Sequence, residues 1–193
     1  MRSHYILPIL LCVSLSSIGQ DQNPPLPINS SSFGIEFQAY PAGIMPGIVF
    51  EKQFSQRHGW HARIGANLAD RHDWGKHDDE TGSGYGATLG YRYYFETFNQ
   101  NFSVGPRIDF WQMKIDWVGS NLITITNTMT GTSDISIFQP TLELAWWLPF
   151  KKGAYEIGVS ITNGFEINVK TEGEDVGEGL ISLIGITARK SLN

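Results

Sequence analysis

The sequence has little cysteine, little charge and no long hydrophobic run. Its single cysteine, Cys12, excludes a fold held together by internal disulfides. Charged residues make up 17% of the chain, against about 25% in soluble domains, and no run of about 18 apolar residues predicts a transmembrane helix. A net charge of −5 without a cluster of Lys and Arg argues against a nucleic-acid partner. Glycine (21 residues) and aromatic residues (12%) are plentiful, which favours an all-β barrel over a helical enzyme.

The N-terminus has the features of a secretory signal peptide. A basic second residue precedes the mostly apolar stretch Tyr5–Leu15, and Ser17 and Gly19 have the small side chains of a cleavage site. Two other interpretations are a buried helix, which Pro8 would interrupt, and lipoprotein processing at Cys12. We expect a signal peptide at 1–19, a flexible Pro- and Ser-rich lead at 20–31, and one barrel domain at 32–193.

Apolar and polar residues alternate one by one in eight later segments. In the stretch GYGATLGYRYYF, for example, Tyr85, Leu89 and Tyr93 belong to one series, while Gly86 and Arg92 belong to the other. Successive side chains of a strand point to opposite faces, so each segment predicts a strand between two different environments. The predicted strands are 32–40, 47–55, 60–71, 84–95, 101–117, 134–149, 154–165 and 179–190.

The fifth and sixth predicted strands are less regular at their facing ends. The alternation becomes uncertain after Trp111, which we interpret as a bulge. The stretch from Val118 to Ser133, VGSNLITITNTMTGTS, is uncharged and rich in Thr and Ile. It predicts either a longer hairpin or an open strand edge that another protein or surface can bind.

Short and long connections alternate between the predicted strands. The stretches QRHG, ETFNQ and FKKG after the second, fourth and sixth strands are short, and those after the third, fifth and seventh are long. The first connection, PAGIMP, is short and breaks the pattern. Short periplasmic turns and longer extracellular loops are typical of a bacterial outer-membrane barrel.

Aromatic residues flank the short turns, which predicts a belt of rings at one membrane interface. A looser belt at the other interface is expected from Trp74, Tyr85, Trp111, Trp117 and Phe165. The main belt is predicted to consist of Phe54, Trp60, Tyr93, Phe95, Phe102, Trp146, Trp147, Phe150 and Tyr155.

The polar series of the strands decides which face meets which environment. It consists mostly of small and uncharged residues, with almost no Lys, whereas a water-exposed barrel would usually carry many Lys and Glu there. Small residues with nearly balanced charges suit a narrow interior filled by side chains, where buried charges must be paired. The predicted lumen charges are Glu36, Glu51, Arg63, Arg92, Arg107, Asp109, Glu143, Glu156 and Arg189.

With a signal peptide, eight alternating strands, alternating connections and aromatic belts, the chain resembles the small eight-stranded outer-membrane proteins of the OmpX and OmpA-transmembrane-domain type. The resemblance covers nearly all of the mature chain but rests on architecture rather than on a short motif. It implies an antiparallel up-and-down transmembrane barrel with a side-chain-filled lumen, located in the bacterial outer membrane. It also implies contact with lipid and lipopolysaccharide, and with other proteins or surfaces through the extracellular loops.

The candidates for chemistry are weak. His72 and His77 lie near Asp73, Asp78 and Asp79, where a His beside an acid can activate a hydroxyl. The segment is charged and Gly-containing, and it has no neighbouring Ser in a strand, so we expect solvated loop tips and no catalytic, cofactor or metal site. We therefore predict a structural, adhesion or interaction protein. The alternatives are an enzyme that modifies lipid A, as some proteins of this architecture are, and a soluble secreted or periplasmic barrel that binds an apolar ligand.

Overall fold

The computed structural model describes residues 30–72, 77–95, 101–120, 128–150 and 154–192. Eight antiparallel strands, each paired with its neighbours in chain order, close into a barrel, which confirms the predicted fold class. No described residue belongs to a helix that is long and apolar enough to cross a membrane. The predicted signal peptide and all of the predicted lead except its last two residues lie outside the described residues. The strands are β1 (Ser31–Tyr40), β2 (Gly43–Gln53), β3 (His58–His72), β4 (Asp79–Phe95), β5 (Phe102–Ser120), β6 (Thr128–Phe150), β7 (Tyr155–Glu172) and β8 (Gly179–Ser191).

The second strand begins four residues earlier than predicted. Only Pro41 and Ala42 separate β1 from β2, and Pro46 lies inside β2, opposite Phe37 of β1. A proline has no N–H for the ladder, and the pairing of β2 with β3 omits Met45 and Pro46. The chain therefore continues as a strand through residues that resemble a turn in sequence.

The connections predicted to be long are largely strand. β5 reaches Ser120, β6 begins at Thr128, and β7 continues to Glu172. The described parts of the stretch from Val118 to Ser133 are paired as in a longer hairpin, and residues 121–127 lie outside the described residues. The predicted bulge after Trp111 is wrong, because β5 pairs with β4 and β6 in a constant register. The register shift lies in the pairing of β6 with β7, where Val169 of β7 has no partner between Ser136 and Ile137.

Through most of the barrel wall the apolar side chains point outward. Large apolar residues of every strand are exposed, including Ile64 of β3 at 65% and Leu89 of β4 at 61%. A continuous exposed apolar surface of this kind is unsuited to water and suits hydrocarbon. The polar series of the same strands is buried inside.

Towards the end with the connections β3–β4, β5–β6 and β7–β8, hereafter the outer end, the polarity reverses. Gln112, Lys114 and Asp116 of β5 point outward, and the inward positions between them are apolar. These inward residues form one core, hereafter the outer core, which consists of Met45, Trp111, Met113, Ile115, Ile135, Ile137, Val176, Ile181 and Leu183. On β5 and β6 the outer end thus has the polarity of a water-soluble barrel, whereas Val169 of β7 and Leu180 of β8 remain exposed there.

The inward face of β4 is made largely of glycine. A Cβ built on Gly86 would overlap the indole of Trp111, and one built on Gly90 would overlap the ring of His61. The absence of side chains on β4 therefore gives room to large side chains from the strands on either side. This explains why GYGATLGYRYYF has glycine at three positions of the inward series, Gly84, Gly86 and Gly90.

A substitution at this stripe tests the packing. We expect Gly86→Val to lower the free energy of unfolding by about 1–3 kcal/mol, because the added methyl groups would overpack the lumen against Trp111. Gly119→Ala is the matched control, since the nearest atom to its new Cβ is the His77 Cδ2, 3.5 Å away. Urea unfolding in detergent micelles measures both, and equal stability of the two variants would show that Gly86 is not needed for space.

Candidate functional site

The lumen contains one connected network of charged side chains, with Arg107 at its centre. Its guanidinium donates to both carboxylate oxygens of Asp109, through Nε at 2.8 Å and Nη2 at 2.6 Å. Its Nη1 lies 3.3 Å from Glu143 Oε2 and 3.5 Å from Glu36 Oε1. Arg63 joins the network by donating to Glu36 Oε1 at 2.8 Å.

A second part of the network surrounds the indole of Trp147. The guanidinium carbons of Arg92 and Arg189 lie 4.7 and 3.6 Å from the ring centroid, on positions suited to cation–π attraction. Arg92 also donates to Glu51, and Arg189 forms an ion pair with the same carboxylate. Arg92 Nη2 lies 2.8 Å from Glu143, and this pair connects the two parts of the network.

All nine predicted lumen charges are buried and lie in this network. Sequence reasoning missed the uncharged members: Gln38 accepts hydrogen bonds from Arg63 and Arg107, and Tyr94 donates to Glu51. Gln38 and Tyr94 lie on the same inward strand faces as predicted lumen charges, so the alternation along the strand could have identified them. Paired charges and two buried indoles fill the lumen and make it rigid.

His61 is another titratable side chain buried in the lumen. It is 1% exposed, and among the described residues neither of its ring nitrogens has a hydrogen-bond partner. Its ring packs against the backbone of Gly90. This arrangement provides no hydroxyl for the imidazole to activate within the described lumen.

The structure places most of the predicted belt on the outer surface, near the end with the short turns. Ring contacts run from Phe54 through His58, Tyr93 and Phe95 to Phe102, with centroid distances of 5.2–6.1 Å. His58 was not predicted as a member of this row. Trp60 and Trp146 are also exposed, and Tyr155 is half-buried. The side chain of Phe150 lies outside what the structure describes.

The assignment of Trp147 to the belt is wrong. Its side chain is 2% exposed, inside the lumen, and its Nε1 donates to Ser103 Oγ at 3.1 Å. Adjacent residues of a strand face opposite sides, so Trp146 and Trp147 cannot both be in the belt. The second predicted belt is wrong for the same reason at Trp111 and Trp117, which point inward, whereas Tyr85 and Phe165 are exposed and Trp74 lies outside the described residues.

The two histidines of the outer end are each held by acids. His72 Nδ1 lies 2.5 Å from Asp79 Oδ1, and its Nε2 lies 3.1 Å from Asp70 Oδ1. His77 stacks on Trp117 at a centroid distance of 4.2 Å. Both ring nitrogens of His77 also contact carboxylates, those of Glu80 and Glu174.

These contacts leave the two imidazoles engaged at both nitrogens, so neither is oriented to take a proton from a substrate. Asp78 is exposed, and Asp73 lies outside the described residues. Within the described ranges, no group of three or more His, Cys, Asp or Glu side chains is arranged to hold a metal ion.

The outer end carries a strong excess of negative charge. Its basic residues in the described ranges are Arg71, Lys114 and Lys170. Its acidic residues there are Asp70, Asp78, Asp79, Glu80, Asp116, Asp134, Glu166, Glu172, Glu174, Asp175 and Glu178. Most of these residues project beyond the apolar outward surface, where water and solutes reach them.

The closed eight-stranded barrel, its apolar outward wall and its charge-filled lumen define an eight-stranded transmembrane β-barrel of the outer-membrane type. No family model matches the sequence, and no curated protein matches it either. Among solved structures, the chain is similar to Ail, the attachment invasion locus protein of Yersinia pestis, in complex with the heparin analogue sucrose octasulfate. The identity is 10%, with 83% of this chain and 97% of that chain covered and a TM-score of 0.43.

Two other solved structures have the same degree of similarity. Neisserial surface protein A is 10% identical, with 83% of this chain and 94% of that chain covered and a TM-score of 0.45. CarO2 of Acinetobacter baumannii is 10% identical, with 84% and 99% covered and a TM-score of 0.46. At this level of identity the similarity concerns the fold alone.

Proposed function

We propose that this protein resides in the bacterial outer membrane after removal of residues 1–19, and that it acts without catalysis as a structural, adhesion or interaction protein through its outer end. The observation that carries the proposal is the reversed polarity of the outer end, where the strands continue beyond the apolar wall with charged side chains pointing outward. A rigid, plugged barrel then serves as the anchor for this acidic surface.

The charge of the outer end indicates the chemistry of its partners. An acidic surface attracts cationic groups and repels polyanions, so the sulfated sugar bound by Ail is not the ligand we propose for this chain. A cationic protein or surface suits it better. Lipopolysaccharide phosphates are a second class of contact, because divalent cations bind the oxygens of both carboxylates and phosphates.

Adhesion measurements test this role. Cells that carry the protein should adhere to an amine-coated surface more than a deletion strain does, and the triple variant Glu172→Gln, Glu174→Gln, Asp175→Asn should lose most of the difference. Lys190→Gln, at the opposite end of the barrel, is the control and should adhere like wild type. Equal adhesion of deletion and wild-type cells would refute the proposal.

Two further measurements address location and the enzyme alternative. Fractionation should place the protein in the outer membrane, with heat-modifiable gel mobility and an intact mass that begins at Gln20. Mass spectra of lipid A from a deletion strain should match those of the parent strain. A soluble mature protein or altered lipid A would contradict the proposal.

A further inference from the structure

At the outer end, the strands extend least far at the turn between β1 and β2. Ala39, the last residue of β1 that pairs with β8, lies opposite Ile184, whereas β8 begins five residues earlier, at Gly179. On the other side, β2 begins opposite Ala69 while β3 continues to His72. Above Pro41 and Ala42 there is consequently a notch between β8 and β3.

Backbone N–H and C=O groups of β8 point into this notch. Ser191 N–H donates to Ala154 O on the β7 side, and Leu192 N–H donates to Ser31 O on the β1 side. Because these directions alternate along a strand, Leu180 and Ser182 face the β1 side. In the register of β1 with β8, the residue opposite Ser182 is Pro41, which has no N–H to donate. β1 ends before the position opposite Leu180.

A cavity of about 230 Å³ occupies the notch. It is lined by Tyr40, Ala42, Leu180 and Ile181 on its apolar side, and by Arg71, Glu166 and Glu178 on its polar side. A smaller cavity of about 20 Å³ shares Tyr40, Arg71 and Glu166 with it and borders the outer core. The volume is below that of a typical drug-sized site, so it suits a small molecule or the end of a chain.

The loop 173–178 forms the inner boundary of this space. Val176 is 5% exposed and packs in the outer core, and its carbonyl accepts a hydrogen bond from Asn168 Nδ2 at 3.2 Å. Gly173 begins the loop and Gly179 follows it, with φ angles of 112° and 140°, which are strained for other residues. The loop therefore closes the barrel over the outer core and leaves the notch as the side entrance.

The charges of the cavity favour a cation. Arg71 is already engaged, with Nη1 at 3.0 Å from Glu80 and Nη2 at 3.9 Å from Glu166. The carboxylates of Glu166 and Glu178 therefore exceed the positive charge at the cavity. Leu180, which is 78% exposed, and Phe165, its partner in register on β7, add an apolar surface at the entrance.

We propose that the notch is a binding site for a small cationic amphiphile, an alkyl or aryl group that ends in an ammonium. The apolar part contacts Tyr40, Ala42 and Leu180, and the ammonium donates hydrogen bonds to Glu166 and Glu178. Such molecules reach the entrance along the membrane surface, where the apolar part lies in the lipid and the ammonium lies in the headgroup region. This site lies at the outer end but does not depend on the proposed role of that end in adhesion.

Calorimetric titration of the protein in phospholipid nanodiscs tests the site, with empty nanodiscs as the blank. We expect phenethylammonium to bind saturably. Of its analogues of matched shape, uncharged 2-phenylethanol should bind more weakly, and anionic 3-phenylpropionate should not bind. Glu166→Gln should weaken phenethylammonium binding about tenfold, the effect of losing one charge-assisted hydrogen bond. Ala42→Trp should abolish binding by filling the cavity.

Two additional variants keep the test decisive. Glu178→Gln changes an exposed side chain and should also weaken binding, even if Glu166→Gln fails to fold by gel mobility. Asp134→Asn, an exposed carboxylate outside the cavity, should bind like wild type. No saturable binding, equal affinity for the anion, or equal affinity in all variants would overturn the proposal.

Discussion

Arg107→Leu is expected to destabilise the barrel by about 3–5 kcal/mol, the loss that follows when one partner of a buried ion pair is removed. The carboxylates of Asp109, Glu36 and Glu143 would remain inside the lumen without the guanidinium that now contacts all three. Urea unfolding in phospholipid vesicles, followed by heat-modifiable gel mobility, gives the change in free energy.

The same measurement includes a control and a rescue. Lys170→Gln removes a charge from a pair with Glu172 that is exposed on both sides, so no change in stability is expected. Asp109→Asn in the Arg107→Leu background should recover part of the loss, because it removes one of the unpaired charges. If Arg107→Leu were as stable as wild type, the network would not support the fold.

Ile64→Arg is expected to destabilise the barrel by about 2–4 kcal/mol in a bilayer, because the new charge would face hydrocarbon. Ile64 is exposed in the middle of β3, among apolar neighbours on β2 and β4. Thr130→Arg, on the outward side of β6 at the outer end, should change stability by less than about 0.5 kcal/mol.

This pair of variants also separates the membrane barrel from the soluble alternative. On the surface of a water-soluble protein an exposed Ile is replaced by Arg without a large loss of stability. A difference between the two variants therefore measures lipid contact at the middle of the wall. Equal stability of both variants in vesicles would refute an outward apolar face in hydrocarbon.

The strands could be predicted because their signal is local. A period of two is present within each segment, and it identified all eight strands and the inward series that carries the charges. The errors arose where residue type was given more weight than parity. Trp147 continues the inward series of Glu143 and Ala145, and Trp111 continues that of Arg107 and Asp109. Their indoles belong inside, although aromatic residues near turns favour an interface.

The partners of the charges could not be predicted, because they depend on register and on distance across the lumen. Arg92 contacts Glu51 and Glu143, which are 41 and 51 residues away in the sequence. Nothing local in the sequence specifies which side chains meet inside a closed barrel. The notch likewise follows from unequal strand heights around the wall, which only the complete pairing reveals.

The reversed polarity of the outer end has a consequence for biogenesis. The hairpin of β5 and β6 must carry Lys114, Asp116 and Asp134 through the hydrophobic layer before it reaches the far side. Each of these charges faces away from the lumen, so the half-assembled sheet cannot hide them from lipid. Translocation of this hairpin is thus a costly stage of assembly, at which a catalyst of insertion lowers the barrier.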